Sequence, residues 1–92
     1  MKVLNERILV KVATDEEETT PSGIIKSAMK QERKYEGVVV DVGTNPDIKE
    51  IGIKPGDYVY YPKGLNTEMT IDGVIHDIVS VYDILAVGKE DD

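Results

Sequence analysis

Eighteen carboxylates, one histidine and a few hydroxyls are the side chains in this chain that could carry chemistry. Two carboxylates act as general acid and base when their environments push their pKa values apart over a substrate. Here the acidic residues fall mostly in runs and turns, Asp15-Glu16-Glu17-Glu18 and the tail Glu90-Asp91-Asp92 among them, which is the pattern of a solvated surface. His76 stands alone. With no cysteine and no second histidine, a zinc site would need carboxylates for every other ligand. His76 therefore reads as a strand residue with its ring at a rim or a subunit contact. Ser22 has no histidine close in sequence, and its polar surroundings would not hold a hydroxyl for attack. Gly52, Gly56 and Gly64 lie in separate turns, without the Lys-Ser/Thr pair or strand-to-helix turn of a phosphate cradle. No enzyme, metal or cofactor is expected.

Binding surfaces narrow in the same way. The formal charge of −7 is the wrong sign for a phosphate backbone, so nucleic acid is a poor candidate partner and an oligonucleotide-binding barrel the least favoured reading. Tyr58, Tyr60 and Tyr61 could stack bases, but the charge opposes that use. Tyr58 and Tyr60 share one strand face, Val59 and Tyr61 the other. With no phenylalanine or tryptophan in the chain, at least one of these tyrosines is expected to fill the core.

The elements that must position any site are short and β-type. Arg7-Ile8-Leu9-Val10-Lys11-Val12 alternates, with Val10 and Val12 on one face and Leu9 on the other. Gly37-Val38-Val39-Val40-Asp41-Val42-Gly43 is a β-branched run between glycines. Lys54-Pro55-Gly56 suits a type II turn ahead of Asp57-Tyr58-Val59-Tyr60-Tyr61. Met69-Thr70-Ile71 and Val74 to Val79 flank Asp72-Gly73, a hairpin signal. Asp83-Ile84-Leu85-Ala86-Val87 comes last. No segment has a convincing helical stripe. Five or six short strands in 92 residues predict one all-β domain, a small barrel that removes its own edges.

A chain of this size buries a modest core and has no disulfide, so oligomerisation is an expected source of further burial. The start, MKVLNERILVKV, lacks the apolar run of a secretory signal, and no stretch approaches the roughly 20 apolar residues of a membrane helix. A cytoplasmic location without membrane contact is expected, bacterial or viral-in-host rather than organellar.

Between the first two strands lies a polar connection, residues 13–36, longer than compact domains usually allow. In its middle stands Pro21-Ser22-Gly23-Ile24-Ile25-Lys26. Two isoleucines in such company either tuck back onto the barrel or serve as an anchor in a segment that orders on binding. Burying both is worth about 3 to 6 kcal/mol. Ordering each flexible residue costs about 1 to 2 kcal/mol, so one loop alone binds weakly. Several such loops on one rigid body would bind through avidity instead.

The order of segments resembles the co-chaperonin family, the 10-kDa or GroES-like chaperonins, over nearly the whole chain. Leu4-Asn5-Glu6-Arg7-Ile8-Leu9-Val10-Lys11 is similar to the family's opening strand, and Gly23-Ile24-Ile25 to the apolar tract of its mobile loop. Gly37 to Gly43 is similar to the strand after that loop. Lys54-Pro55-Gly56-Asp57-Tyr58-Val59 resembles the Val-Gly-Asp turn and strand, and Asp83-Ile84-Leu85-Ala86 the closing signature. The resemblance implies a homo-heptameric ring of GroES-like β-barrels. Such a ring caps a large ATP-dependent chaperonin ring and closes the chamber around a client protein. ATP is bound and hydrolysed by the partner. Gly23, Ile24 and Ile25 would be the chaperonin-binding anchor. Val3, Leu4, Arg7 and Leu9 with Ile84, Leu85 and Val87 would form the contact between ring neighbours, first strand against last.

Three positions depart from the family pattern. Lys26 replaces a third aliphatic residue of the tract, which weakens the anchor or suits a groove with an acidic edge. The stretch 44–56 is shorter than the hairpin that roofs many relatives, implying a wider opening. Leu65 stands where a chamber-facing tyrosine is common. The alternative is a monomeric acidic β-barrel adaptor or peptide-binding module, whose first and last strands would pair within one chain.

Overall fold

The computed structural model describes residues 2–14 and 33–88. Within them β1 (Arg7–Thr14), β2 (Arg33–Val42), a helix α1 (Asp47–Ile51) and β3 (Tyr58–Tyr60) come first. They are followed by β4 (Asn66–Ile71), β5 (Val74–Ser80), a 3₁₀ turn (Val81–Asp83) and β6 (Ala86–Gly88). The six strands form one sheet in the order β4-β5-β1-β2-β3-β6, every neighbouring pair antiparallel. The chain is mostly β, as the alternation of apolar residues predicts.

β1 is central. Ile8 and Val10 are fully buried and join Val39, Val59, Tyr61, Val79 and Val81 in the core. Leu9 points the other way and is also covered, at 5% exposure. Tyr61 is 3% exposed, so one tyrosine does fill the core, while Tyr58 and Tyr60 meet edge-on at 5.4 Å across the opposite face. β1 and β6 are separated by β2 and β3. The pairing of first and last strands that the adaptor alternative requires is not formed.

The turns follow their residue chemistry. Asp72 (φ 52°) and Gly73 (φ 80°) take the two positive-φ positions of a type I′ hairpin between β4 and β5. At Lys54-Pro55-Gly56-Asp57, Gly56 has φ 101° and the Asp57 N–H donates to Lys54 O at 3.1 Å, as a type II turn demands.

Two boundaries differ from expectation. α1 falls in the short stretch after β2, where no helix was predicted. Asn45 Oδ1 accepts from the Asp47 N–H at 2.7 Å, Gly52 closes the turn at φ 96°, and Ile48 is buried at 3%. Five residues are too few for a helix to persist alone, so tertiary burial of Ile48 sustains it. The Tyr82 hydroxyl also donates to Asp47 Oδ2 at 2.6 Å. Second, both strands extend into the expected connection. Ala13 and Thr14 close β1, Arg33 to Glu36 open β2, and Thr14 registers with Arg33 beyond a bulge. Ser22, Gly23, Ile24, Ile25 and Lys26 lie outside the described residues.

Candidate functional site

One carboxylate organises the end of the sheet where β1 stops and β2 begins. Asp77 sits in β5 opposite Val10, with no exposed surface. Its Oδ1 accepts from Arg33 Nη1 at 3.2 Å and from Asn66 Nδ2 at 3.0 Å. Its Oδ2 accepts from Arg33 Nη2 and from the Tyr61 hydroxyl, the latter at 2.6 Å. Four donors from β2, the end of β3, and β4 thus occupy the acceptor positions of one carboxylate. The bidentate guanidinium and the saturation of both oxygens offset the cost of burying the carboxyl group at this depth.

The outer side of the cluster is less buried. Arg33 Nη1 also donates to Glu68 Oε1 at 2.9 Å, and the guanidinium carbon lies 4.0 Å from the centre of the Tyr35 ring. Tyr35 meets Tyr61 edge-on at 6.4 Å. Burial alone would lower the Arg33 pKa, but the hydrogen bonds and charge of Asp77, with Glu68, more than offset it and leave it raised. Burial pushes the Tyr61 phenol upward, and its hydrogen bond to Asp77 acts in the same direction. The sequence pattern places acidic residues on the surface; among the described residues Asp77 is the buried exception. An aspartate inside the apolar run Val74 to Val79 was the available signal, but its partner Arg33 lies 44 residues away.

The second arrangement is apolar. Residues 2–6 precede β1 instead of continuing it, with Asn5 at φ 62°. They are pinned to the end of β2: Gly43 N–H donates to Arg7 O at 2.8 Å, Asn45 N–H to Asn5 O at 3.0 Å, and Asn5 N–H to Thr44 Oγ1 at 3.0 Å. Beside them runs a groove of about 320 Å³ with Val3, Leu4, Thr67 and Ile78 in its walls. Leu4 (54% exposed), Leu85 (69%) and Val87 (47%) present apolar surface, and Arg7 is also exposed. Val3 and Leu9 are covered within the chain, and Ile84 packs partly against the core. β1 is hydrogen-bonded on both sides, to β2 and β5. Along Arg7 to Lys11 the backbone of β1 is therefore already paired within the chain. The outer strands are β4 and β6.

His76 lies in β5 at 8% exposure with Nδ1 2.9 Å from Val74 O, so its ring is mostly covered by its own chain. No group of three or more metal-ligating side chains occurs among the described residues. Leu65 is 56% exposed in the turn before β4.

A small all-β protein with a pinned N-terminal segment and an open last strand is the class these features define. Over residues 1–88 the sequence matches the family model described as the chaperonin 10 Kd subunit, and the chain belongs to that family. It is 35% identical over 89 residues to the co-chaperonin GroES of Halothermothrix orenii, covering 95% of each chain. To the co-chaperonin GroES of Methanosarcina barkeri it is 37% identical over 91 residues, covering 99% of this chain and 98% of the relative. A chloroplastic 20 kDa chaperonin of Spinacia oleracea is 34% identical over 96 residues, where this whole chain spans 37% of the relative.

Proposed function

We propose that this protein is a co-chaperonin: it caps an ATP-driven chaperonin ring and closes the chamber in which a client protein folds. The observation that carries this reading is the family match over residues 1–88, together with relatives of the same length named as co-chaperonins. The chain contributes binding and no catalysis; nucleotide is bound and hydrolysed by the partner. A cytoplasmic site of action goes with the assignment.

Gly23, Ile24 and Ile25 are the proposed anchor for an apolar groove on the chaperonin. Each loop alone binds weakly, because ordering it offsets most of what burying two isoleucines contributes, and a ring multiplies the effect through effective concentration. The proposed ring is a heptamer of barrels. The Asp77 cluster joins β2 and β3 to β4 and β5 across the sheet's interior, which supports curling toward closure. The outer edge of β6, with Leu85 and Val87, suits the groove beside Leu4 and residues 2–6 of the next subunit. Val3 and Leu9 would back that groove from beneath, Arg7 would rim it, and Ile84 would set the angle of β6.

Two measurements test the proposal. Native mass spectrometry should find a species of seven times the 10.2 kDa chain mass. In a nucleotide-dependent pull-down, the chaperonin should retain the wild type and lose the Ile24→Ser/Ile25→Ser variant, while that variant still forms rings. Equal retention of the two would remove the anchor assignment.

A further inference from the structure

We infer that Tyr82 is a positioning residue for assembly: its bond to Asp47 closes a junction that holds β6 at a fixed angle to residues 2–6, and so sets how many subunits close a ring. The consequence for rings rests on the co-chaperonin reading, while the junction itself belongs to a single chain.

Under that reading each subunit offers β6 to one neighbour and the groove beside residues 2–6 to the other. Neither arm is strongly built, since β6 has three residues and residues 2–6 precede the first strand. Through the sheet the arms are joined from β6 to β3 to β2, whose end holds residues 2–6. The twist between neighbouring strands ranges over about 10 to 35°, so that route holds an angle loosely.

A direct route runs through the 3₁₀ turn Val81–Asp83, which lies between β5 and β6. The Val81 N–H donates to Glu6 O at 2.7 Å and ties the turn to the N-terminal arm. Ser80 Oγ accepts from the Tyr82 N–H at 3.2 Å, and Val81 is buried, so Tyr82 is fixed at its backbone although its side chain is exposed. The Tyr82 hydroxyl donates to Asp47 Oδ2 at 2.6 Å, and the Asp47 N–H donates to Asn45 Oδ1. The Asn45 N–H in turn donates to Asn5 O, next to Glu6, and the circuit of bonds returns to its start. From the turn the chain passes through Ile84, packed partly against the core, into β6. The Tyr82 phenol has its pKa raised, first by the bond to Asp47, and the charges of Asp47 and Glu6 act in the same direction. Acidic groups from α1 and from the N-terminal arm thus both favour keeping the hydroxyl proton in place.

Subunit number turns on small angles. In a closed ring the step between neighbours is a full turn divided by the subunit number, about 51° for seven and about 45° for eight. Rotating the turn by the difference moves the Tyr82 hydroxyl, about 6.5 Å from its Cα, by up to about 0.7 Å. A 2.6 Å bond lengthened that far leaves the range of good O–H···O bonds. The intact junction therefore resists the neighbouring ring size. The resistance is repeated in every subunit, so a per-subunit effect of about 1.4-fold compounds to about tenfold over seven.

The test is the ring-size distribution, read by native mass spectrometry of wild type, Tyr82→Phe, Asp47→Ala, the double variant and Asp47→Asn. Rings one subunit larger or smaller should rise about tenfold in Tyr82→Phe and in Asp47→Ala. The double variant should show no further rise, because both substitutions remove one bond. Asp47→Asn keeps an acceptor oxygen and should restore the wild-type distribution. Rings of unchanged size that merely fall apart at higher concentration would make Tyr82 a stabilising residue and overturn the positioning role. Additive effects in the double variant would overturn the bond as the cause. Amide hydrogen exchange at Asn45 and Val81 should quicken in Tyr82→Phe, and unchanged exchange there would overturn the junction. A wild type that forms no ring would count against the co-chaperonin reading, and the exchange measurement on the single chain would still judge the junction.

Discussion

Replacing Gly43 by alanine asks whether residues 2–6 are held in place for a neighbouring subunit. A Cβ at position 43 would lie 2.2 Å from Asn5 O, 2.8 Å from Arg7 O and 2.9 Å from Leu4 O. Carbon and oxygen ordinarily meet at roughly 3.3 Å, so the segment must retreat by about 1 Å. These are backbone oxygens, and no rotamer change relieves the clash. The retreat breaks or lengthens the three hydrogen bonds between residues 5–7 and 43–45. At about 1 kcal/mol for each bond, and about 1 to 3 kcal/mol for overpacking if the segment stays, the cost is about 3 kcal/mol per chain. The cheapest escape is release of residues 2–6, which dismantles one wall of the groove beside Leu4. Urea unfolding should show the chain destabilised by that amount. A dilution series in native mass spectrometry should show rings falling apart at a protein concentration at least tenfold higher. Gly52→Ala is the control: its Cβ meets nothing within 4 Å, so it carries only the strain of φ 96°, about 1 to 2 kcal/mol, and should leave ring dissociation unchanged. A Gly43→Ala ring as resistant to dilution as the wild type would refute the reasoning.

Other outcomes follow from the same geometry. Leu85→Ser should change chain stability by less than about 0.5 kcal/mol, since the side chain is 69% exposed, yet shift sedimentation toward monomer. Tyr61→Phe removes a buried donor from a carboxylate and should cost about 1.5 to 3 kcal/mol in urea unfolding at neutral pH. Its alkaline behaviour is the sharper test. The folded-state pKa of Tyr61 is raised above the ordinary value near 10, so the folded chain holds a proton that the unfolded chain releases. Stability from this group is full below pH 10 and declines as pH rises beyond it. Tyr61→Phe should flatten that decline, measured in a Tyr82→Phe background because Tyr82 is also raised by its bond to Asp47. An equally steep fall without Tyr61 would remove it as the cause.

Local chemistry made much of the fold legible in the sequence. Alternation exposed β1, Asp72-Gly73 marked the β4–β5 turn, and Lys54-Pro55-Gly56 marked the approach to β3. The scarcity of large aromatics pointed to a core tyrosine, which is Tyr61. α1 escaped because its five residues carry one apolar anchor, Ile48, and no periodicity can be read from one point. Its flanks held the available signal, an Asn-Pro start and a glycine stop. The Arg33–Asp77 bond escaped for a different reason. Nothing near either residue in sequence names the other, and the pairing exists only because β1 brings β2 and β5 to its two sides. The strand extents were misjudged at Ala13–Thr14 and Arg33–Glu36 for the same cause, since polar residues there are held by cross-strand partners and not by their own apolarity. Exposure is likewise not legible from apolarity alone: Leu4, Leu85 and Val87 are exposed, whereas Val3 and Leu9 are buried within their own chain.

The open outer edge of β6 has a consequence for cells that hold more than one protein of this kind. Along that edge the groups on offer are backbone N–H and C=O, and these are identical in every chain that folds this way. Hydrogen bonding there is blind to kinship. In the proposed ring, discrimination between self and a close relative would come from the few side chains that flank it, Leu85 and Val87 on one subunit and the Leu4 groove on the next. Sibling chains that keep those residues aliphatic would enter a common pool of mixed rings, and the composition of each cap would track the relative synthesis of its members.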